Sequence, residues 1–151
     1  SINAVITDSD VSTVLTYDTS SGSFQTSVRD AVSGLLTGSL TTLDGTQGIW
    51  VNTTSFDPIE VAIPAIPAAT LPPTIPIAAG WNLIGVIDVS GDIADGATVA
   101  SAATYLTGVE VSKIYSYSAL TGAFTAVIGT DQVFVGDGLW VFATEVGTVT
   151  P

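Results

Sequence analysis

Between Val11 and Phe24 the hydrophobic pattern has a period of two. Leu15 and Tyr17 fall on one side of an extended strand, Val14, Thr16 and Asp18 on the other, and a Ser-Ser-Gly turn returns the chain at Phe24. The same form recurs one hundred residues later, with a strand through Ile114 and Tyr117, a Leu-Thr-Gly turn and Phe124. "VSTVLTYDTSSGSF" (11–24) aligns without a gap on "VSKIYSYSALTGAF" (111–124), so that Val11, Ser12, Tyr17, Gly22 and Phe24 return as Val111, Ser112, Tyr117, Gly122 and Phe124. A second match, "GIWV" (48–51) on "GLWV" (138–141), runs at an offset of 90 and extends to Ile59 and Val149. Ten extra residues therefore lie between Phe24 and Gly48. They include "VRDAVSGLLTG", where Val28, Ala31, Val32, Leu35 and Leu36 have helical spacing and Gly38 stands where a helix would end. The β-branched and aromatic runs at Trp50 and Trp140 predict strands, and "GATVASAATYL" predicts a short helix over 97–106.

The expected fold is mostly β, with two small antiparallel lobes, sandwich- or barrel-like, each carrying about one short helix. Residues 1–63 form the first lobe, 64–79 a Pro-rich extended segment and 80–151 the second lobe. Proline excludes helix and central strand from "IEVAIPAIPAATLPPTIPIAAG", which reads as a semi-rigid connector. Its residues Ile59, Val61, Ile63, Ile66, Leu71, Ile75 and Ile77 are too apolar for a freely solvated spacer, and the alternative is that they pack along a lobe or a neighbouring molecule.

One motif breaks the repetition. "AAGWNLIGV" (78–86) opens the second copy and has no counterpart before the first. "SINAVITDSD" is a faint echo, with Ile2, Asn3, Ala4 and Val5 where Trp81, Asn82, Leu83 and Ile84 stand. A sheet short of a strand exposes unpaired backbone groups. Three sources would fill the gap: residues 1–8 folded back on their own lobe, a segment lent by another copy, or a natural upstream strand absent from this chain. The candidate assembly strand comprises Ile2, Ala4, Val5 and Ile6, or Val61, Ile63 and Ile66. Head-to-tail donation of such a strand would build a filament.

Charge then narrows the class. Fourteen acidic residues face only Arg29 and Lys113, for a net charge of -12. No basic patch exists to neutralise phosphates, so nucleic acid is excluded as a partner, and an anionic membrane surface is disfavoured. Charged residues are 11% of the chain against 46% hydrophobic, which leaves Ser, Thr, Gly and carboxylates to solvate an exported, extracellular or cell-surface protein. No apolar run long enough to span a membrane survives the interruptions at Pro64, Pro67, Pro72, Pro73 and Pro76. The start at Ser1 without any Met reads as a processed mature form, although a trimmed chain would look the same.

"AAGWNLIGV", "VSKIYSYSALTGAF" and "VGDGLWVFATEVGTVTP" together resemble a module repeated in secreted and surface-layer-like proteins of archaea and of bacteria such as the Chloroflexi. Residues 80–151 cover its pattern fully, residues 11–63 only its later part. The resemblance implies an extracellular structural or adhesive role and brings no catalytic residues.

The residues themselves offer little reactive chemistry. With neither His nor Cys, the usual general bases, thiolate nucleophiles and zinc clusters are missing. "YDTSSG" (17–22) echoes an aspartic-protease turn, yet Ser118 stands at the position related to Asp18, so a paired carboxylate is lacking and a turn role is expected. "DVSGDIADG" gathers Asp88, Ser90, Asp92 and Asp95 in a Gly-containing loop and is the candidate calcium site. Asn52 begins an Asn-Thr-Thr glycosylation triplet. Trp50, Trp81, Trp140, Tyr17 and Tyr117 are expected in the core, the alternative being a carbohydrate platform. The sequence thus predicts a non-catalytic extracellular structural protein, a self-associating subunit of a surface layer, filament or similar assembly, with donor-strand exchange as its candidate mode of polymerisation. The alternative is an adhesive or carbohydrate-binding module of a larger surface protein.

Overall fold

The computed structural model describes residues 1–43, 45–55, 57, 59, 61, 74–88 and 96–151. A one-turn helix α1 (Ile2–Val5) precedes β1 (Val11–Asp18), β2 (Ser23–Arg29), β3 (Leu36–Gly38) and β4 (Trp50–Thr53), which form one antiparallel sheet in the order β3-β2-β1-β4. The rest comprises β5 (Ile75–Ile77), β6 (Gly80–Gly85), β7 (Thr98–Ser101), α2 (Ala102–Tyr105), β8 (Val111–Ser118), β9 (Ala123–Ala126), β10 (Gln132–Phe134), β11 (Gly138–Ala143) and β12 (Gly147–Val149). A second four-stranded antiparallel sheet runs β6-β11-β8-β9, beside the short pairs β10-β7 and β12-β5. The protein is mostly β; among the described residues there are several small antiparallel sheets and two short helices, and no sheet closes into a barrel. The trio β2-β1-β4 recurs as β9-β8-β11, and the facing pair Tyr17 and Phe24 recurs as Tyr117 and Phe124.

Each sheet buries an aliphatic face. Ile2, Val5, Ile6, Val11, Val14, Leu36 and Leu40 form one core, with Ile59 and Val61 packed against it. Ile75, Ile77, Ile84, Ile114, Leu139, Val141 and Val149 belong to the other, along with Ala102, Tyr105 and Leu106 from α2 and the residue after it. The connector's described end thus packs along the second lobe, the alternative its apolar residues had offered. Pro76 faces Thr148 across a two-stranded pair, where an edge strand can dispense with its N–H while Ile75 and Ile77 point into the core.

The helix expected over the extra residues of the first copy is absent. β2 continues to Arg29, and Asp30 then closes a tight turn by accepting from the N–H groups of Val32 (3.2 Å) and Ser33 (2.7 Å) and from the Ser33 hydroxyl (2.8 Å). β3 returns along β2, leaving Val32 95% exposed at the tip, where a helix would have buried it. The helix expected over 97–106 is shorter: Thr98–Ser101 is strand, and Ser101 caps α2 by accepting from the Thr104 N–H at 3.3 Å.

Residues 1–6 do fold back on their own lobe, though as a helix and not as the strand the echo of Trp81–Ile84 implied. The Asn3 side chain pairs with the backbone of Leu36, donating to its carbonyl (2.9 Å) and accepting from its N–H (2.7 Å), as a strand residue would. Ile2, Val5 and Ile6 face the core, whereas Ala4 is exposed, so one amphipathic turn closes the lobe better than an alternating strand.

The place of the missing strand is taken by β6, shared between the lobes. One edge of β6 pairs with β11 along its length. Its other edge meets the residues leading into β4: Gln47 bridges Ile84, the Gly48 N–H donates to the Leu83 carbonyl (3.3 Å) and the Gly85 N–H to the Thr46 carbonyl (3.2 Å).

Candidate functional site

The opposite face of each sheet is aromatic. Period-two alternation puts Leu15, Tyr17, Phe24 and Trp50 together in the first lobe, since Tyr17 faces Phe24 and Leu15 faces Trp50 in register. In the second lobe Tyr115 faces Trp140, Tyr117 faces Phe124 and Phe142 faces Trp81. None of these rings belongs to either aliphatic core, which corrects the expectation that the tryptophans and tyrosines fill it.

The rings instead join the lobes reciprocally. Tyr17 and Phe24 pack on Trp140 with centroid separations of 5.1 and 5.9 Å, while Tyr117 and Phe124 pack on Trp50 at 4.4 and 5.5 Å. Each hairpin thus holds the tryptophan of the other copy, the contact pattern of a two-fold interface made within one chain. The separations and the interplanar angles of 57 to 74° fall among tilted and edge-to-face pairs.

β6 breaks the symmetry. It adds Trp81, which lies 5.9 Å from Trp140, 5.1 Å from Phe142 and 6.2 Å from Tyr115. In the first lobe Asn52 stands at the position of Phe142 and Leu15 at that of Tyr115, so among the described residues the extended ring surface belongs to the second lobe. The result is an open groove of about 440 Å³ lined by Tyr17, Trp81, Tyr115, Phe124 and Trp140. Phe124 remains 55% exposed at the groove.

Asn82 fixes β6 in place. Buried behind Trp81, its side chain donates to the Ala78 (2.9 Å) and Gly80 (3.0 Å) carbonyls and accepts from the Ala78 N–H (3.1 Å) and the Thr19 hydroxyl (3.2 Å). Thr19 also donates to the Trp81 carbonyl at 3.0 Å, tying the first hairpin's loop to the strand that carries the groove. At the far end Tyr105 accepts from the Ile87 N–H (3.0 Å) and donates to the Gly85 carbonyl (3.3 Å); burial pushes its hydroxyl pKa up.

Compared with family models, curated proteins and solved structures, the chain matches none.

Asp18 accepts from the Ser20 hydroxyl (2.6 Å) and N–H (2.9 Å), the Ser21 hydroxyl (2.9 Å) and the Gln25 amide (3.4 Å). The Ser20 and Ser21 hydroxyls hold its carboxyl below the usual range, and its role is that of a turn residue. Of the candidate calcium ligands, Asp88 is half-buried just beyond β6, and Ser90, Asp92 and Asp95 lie outside the described residues. Asn52 is exposed on β4. Of the candidate assembly residues, Ile2, Val5 and Ile6 are buried in their own core and Val61 packs against it. Ile63 and Ile66 lie outside the described residues. Trp81, Trp140 and Tyr17 meet in the groove, whereas Trp50 and Tyr117 belong to the clasp alone. Tyr115 and Phe124 are not among the site residues expected from the sequence; pairing of the strands puts Tyr115 opposite Trp140 and Phe124 opposite Tyr117.

Proposed function

We propose that the chain is a non-catalytic extracellular structural protein, a rigid two-module subunit of a surface layer, filament or similar assembly. The reciprocal ring clasp carries this reading: it fuses two copies of one module into a single body, as a load-transmitting building block requires. A chain almost devoid of cationic side chains supports it as well. Strand donation by residues 1–6 loses support, because Ile2, Val5 and Ile6 already fill their own lobe. Association through exposed faces is the better-supported route. Electron microscopy of the concentrated protein, with sedimentation velocity over a hundredfold concentration range, tests the proposal. Ordered sheets or filaments and a concentration-dependent mass are expected; a monomer of constant mass with no ordered particles overturns it.

A further inference from the structure

We infer that the groove formed by Tyr17, Trp81, Tyr115, Phe124 and Trp140 binds a neutral carbohydrate chain. Three observations carry the inference. The lining is entirely aromatic, and its rings present both faces and edges to an open trough, which suits the flat C–H faces of pyranose rings. The rings also keep polar handles. Among the described residues, the Tyr17 and Tyr115 hydroxyls and the indole N–H groups of Trp81 and Trp140 make no hydrogen bond to the protein, and none of these atoms is a buried unsatisfied group. Aromatic faces together with a few unused donors on the same residues suit a ligand that alternates C–H faces with hydroxyls.

Charge selects within that class. No described lining residue is charged, the chain carries a net charge of -12, and Lys113, which faces Phe142 in register, is the sole cation of the second sheet. A uronic or sulfated glycan would meet repulsion with one lysine to offset it. The site is also specific to the second copy, because Trp81 comes from β6, which has no described counterpart in the first copy. The inference does not depend on polymerisation, and a monomer would bind equally well.

The test titrates the intact protein with neutral oligosaccharides of glucose, mannose and N-acetylglucosamine, and with oligogalacturonate, following tryptophan fluorescence and calorimetric heat. A saturable response to a neutral oligomer is expected, with affinity rising from dimer to longer chains and a negligible response to oligogalacturonate. Trp81→Ala, which leaves all four clasp contacts in place, should weaken binding by about tenfold or more. Tyr115→Phe keeps the ring, removes one hydroxyl and should weaken it less. Two-dimensional NMR should show the Trp81 and Trp140 indole N–H signals shifting with ligand and that of Trp50 unmoved. Silence towards every neutral oligomer, preference for the acidic one, or unchanged affinity in a folded Trp81→Ala variant each overturns the proposal.

Discussion

At the scale of single residues, identical letters in the two copies carry different constraints. Gly48 and Gly138 open the matching runs "GIWV" and "GLWV", but a Cβ on Gly48 would sit 2.7 Å from Leu83 Cγ and 2.8 Å from the Ile84 carbonyl oxygen, whereas one on Gly138 meets nothing within 4 Å. The first glycine exists so that β6 can lie against the backbone of the first lobe. Gly48→Ala should therefore destabilise the protein by about 1–3 kcal/mol in urea unfolding, and Gly138→Ala should stay within about 0.5 kcal/mol of the parent. Equal effects would mean that β6 does not pack against Gly48. Asp30 supplies a second residue-scale prediction. The Ser33 N–H and hydroxyl hold its carboxyl below the ordinary aspartate value of 3.8. With the folded pKa below the unfolded one, its contribution is complete above the unfolded pKa and is lost as pH falls through about 4 to the folded value. Asp30→Asn, whose amide oxygen still accepts from Ser33, should flatten the fall of the thermal midpoint on acidification below about pH 4.

At the scale of elements, α1 shows how a short segment can close a core without joining a sheet. Asn3 supplies two hydrogen bonds to Leu36 and its neighbours bury Ile2, Val5 and Ile6, so Ile6→Ala should cost about 2–5 kcal/mol in chemical unfolding. Asn3→Ala, which strands the Leu36 backbone, should cost about 1–3 kcal/mol and speed exchange of the Leu36 amide proton; an unchanged exchange rate would place Leu36 on another partner. The hairpins and the strands around Trp50 and Trp140 were legible because alternation and turn chemistry are local. β3 was not, since Val28, Ala31, Val32, Leu35 and Leu36 happen to fall at helical spacing, and only the capture of Asp30 by its own turn decides against a helix. α1 was equally illegible: four residues carry too short a period to separate helix from strand, and the choice rests on which of them the core takes. The groove was half legible. The ring residues could be named from the repeat, but their common side follows from register across β6, β11 and β8, which is a property of pairing and not of any one segment.

At the scale of the whole molecule, two lobes of about 70 residues, each with a modest core, become one through the clasp and the shared strand. Aromatic pairs contribute about 0.5–1.5 kcal/mol each beyond their buried area, so the four ring contacts between the copies couple the lobes by about 2–6 kcal/mol. That is comparable to the roughly 3–5 kcal/mol a core of this size supplies alone, and coupling as large as a lobe's own stability makes independent unfolding rare. Differential scanning calorimetry of the parent should therefore give one transition whose calorimetric and van't Hoff enthalpies agree. In the double variant Trp50→Ala/Trp140→Ala both halves of the clasp are lost while the two aliphatic cores stay intact, because neither ring belongs to them. Its transition should split or show a calorimetric enthalpy well above the van't Hoff value, with the first lobe melting earlier, since its sheet depends on β6 of the other lobe for an edge partner. A parent that already melts in two steps would deny the clasp its coupling role. A double variant that melts in one step at a lower temperature would assign that role to the β6 seam, and Gly48→Ala would then be the substitution that separates the lobes.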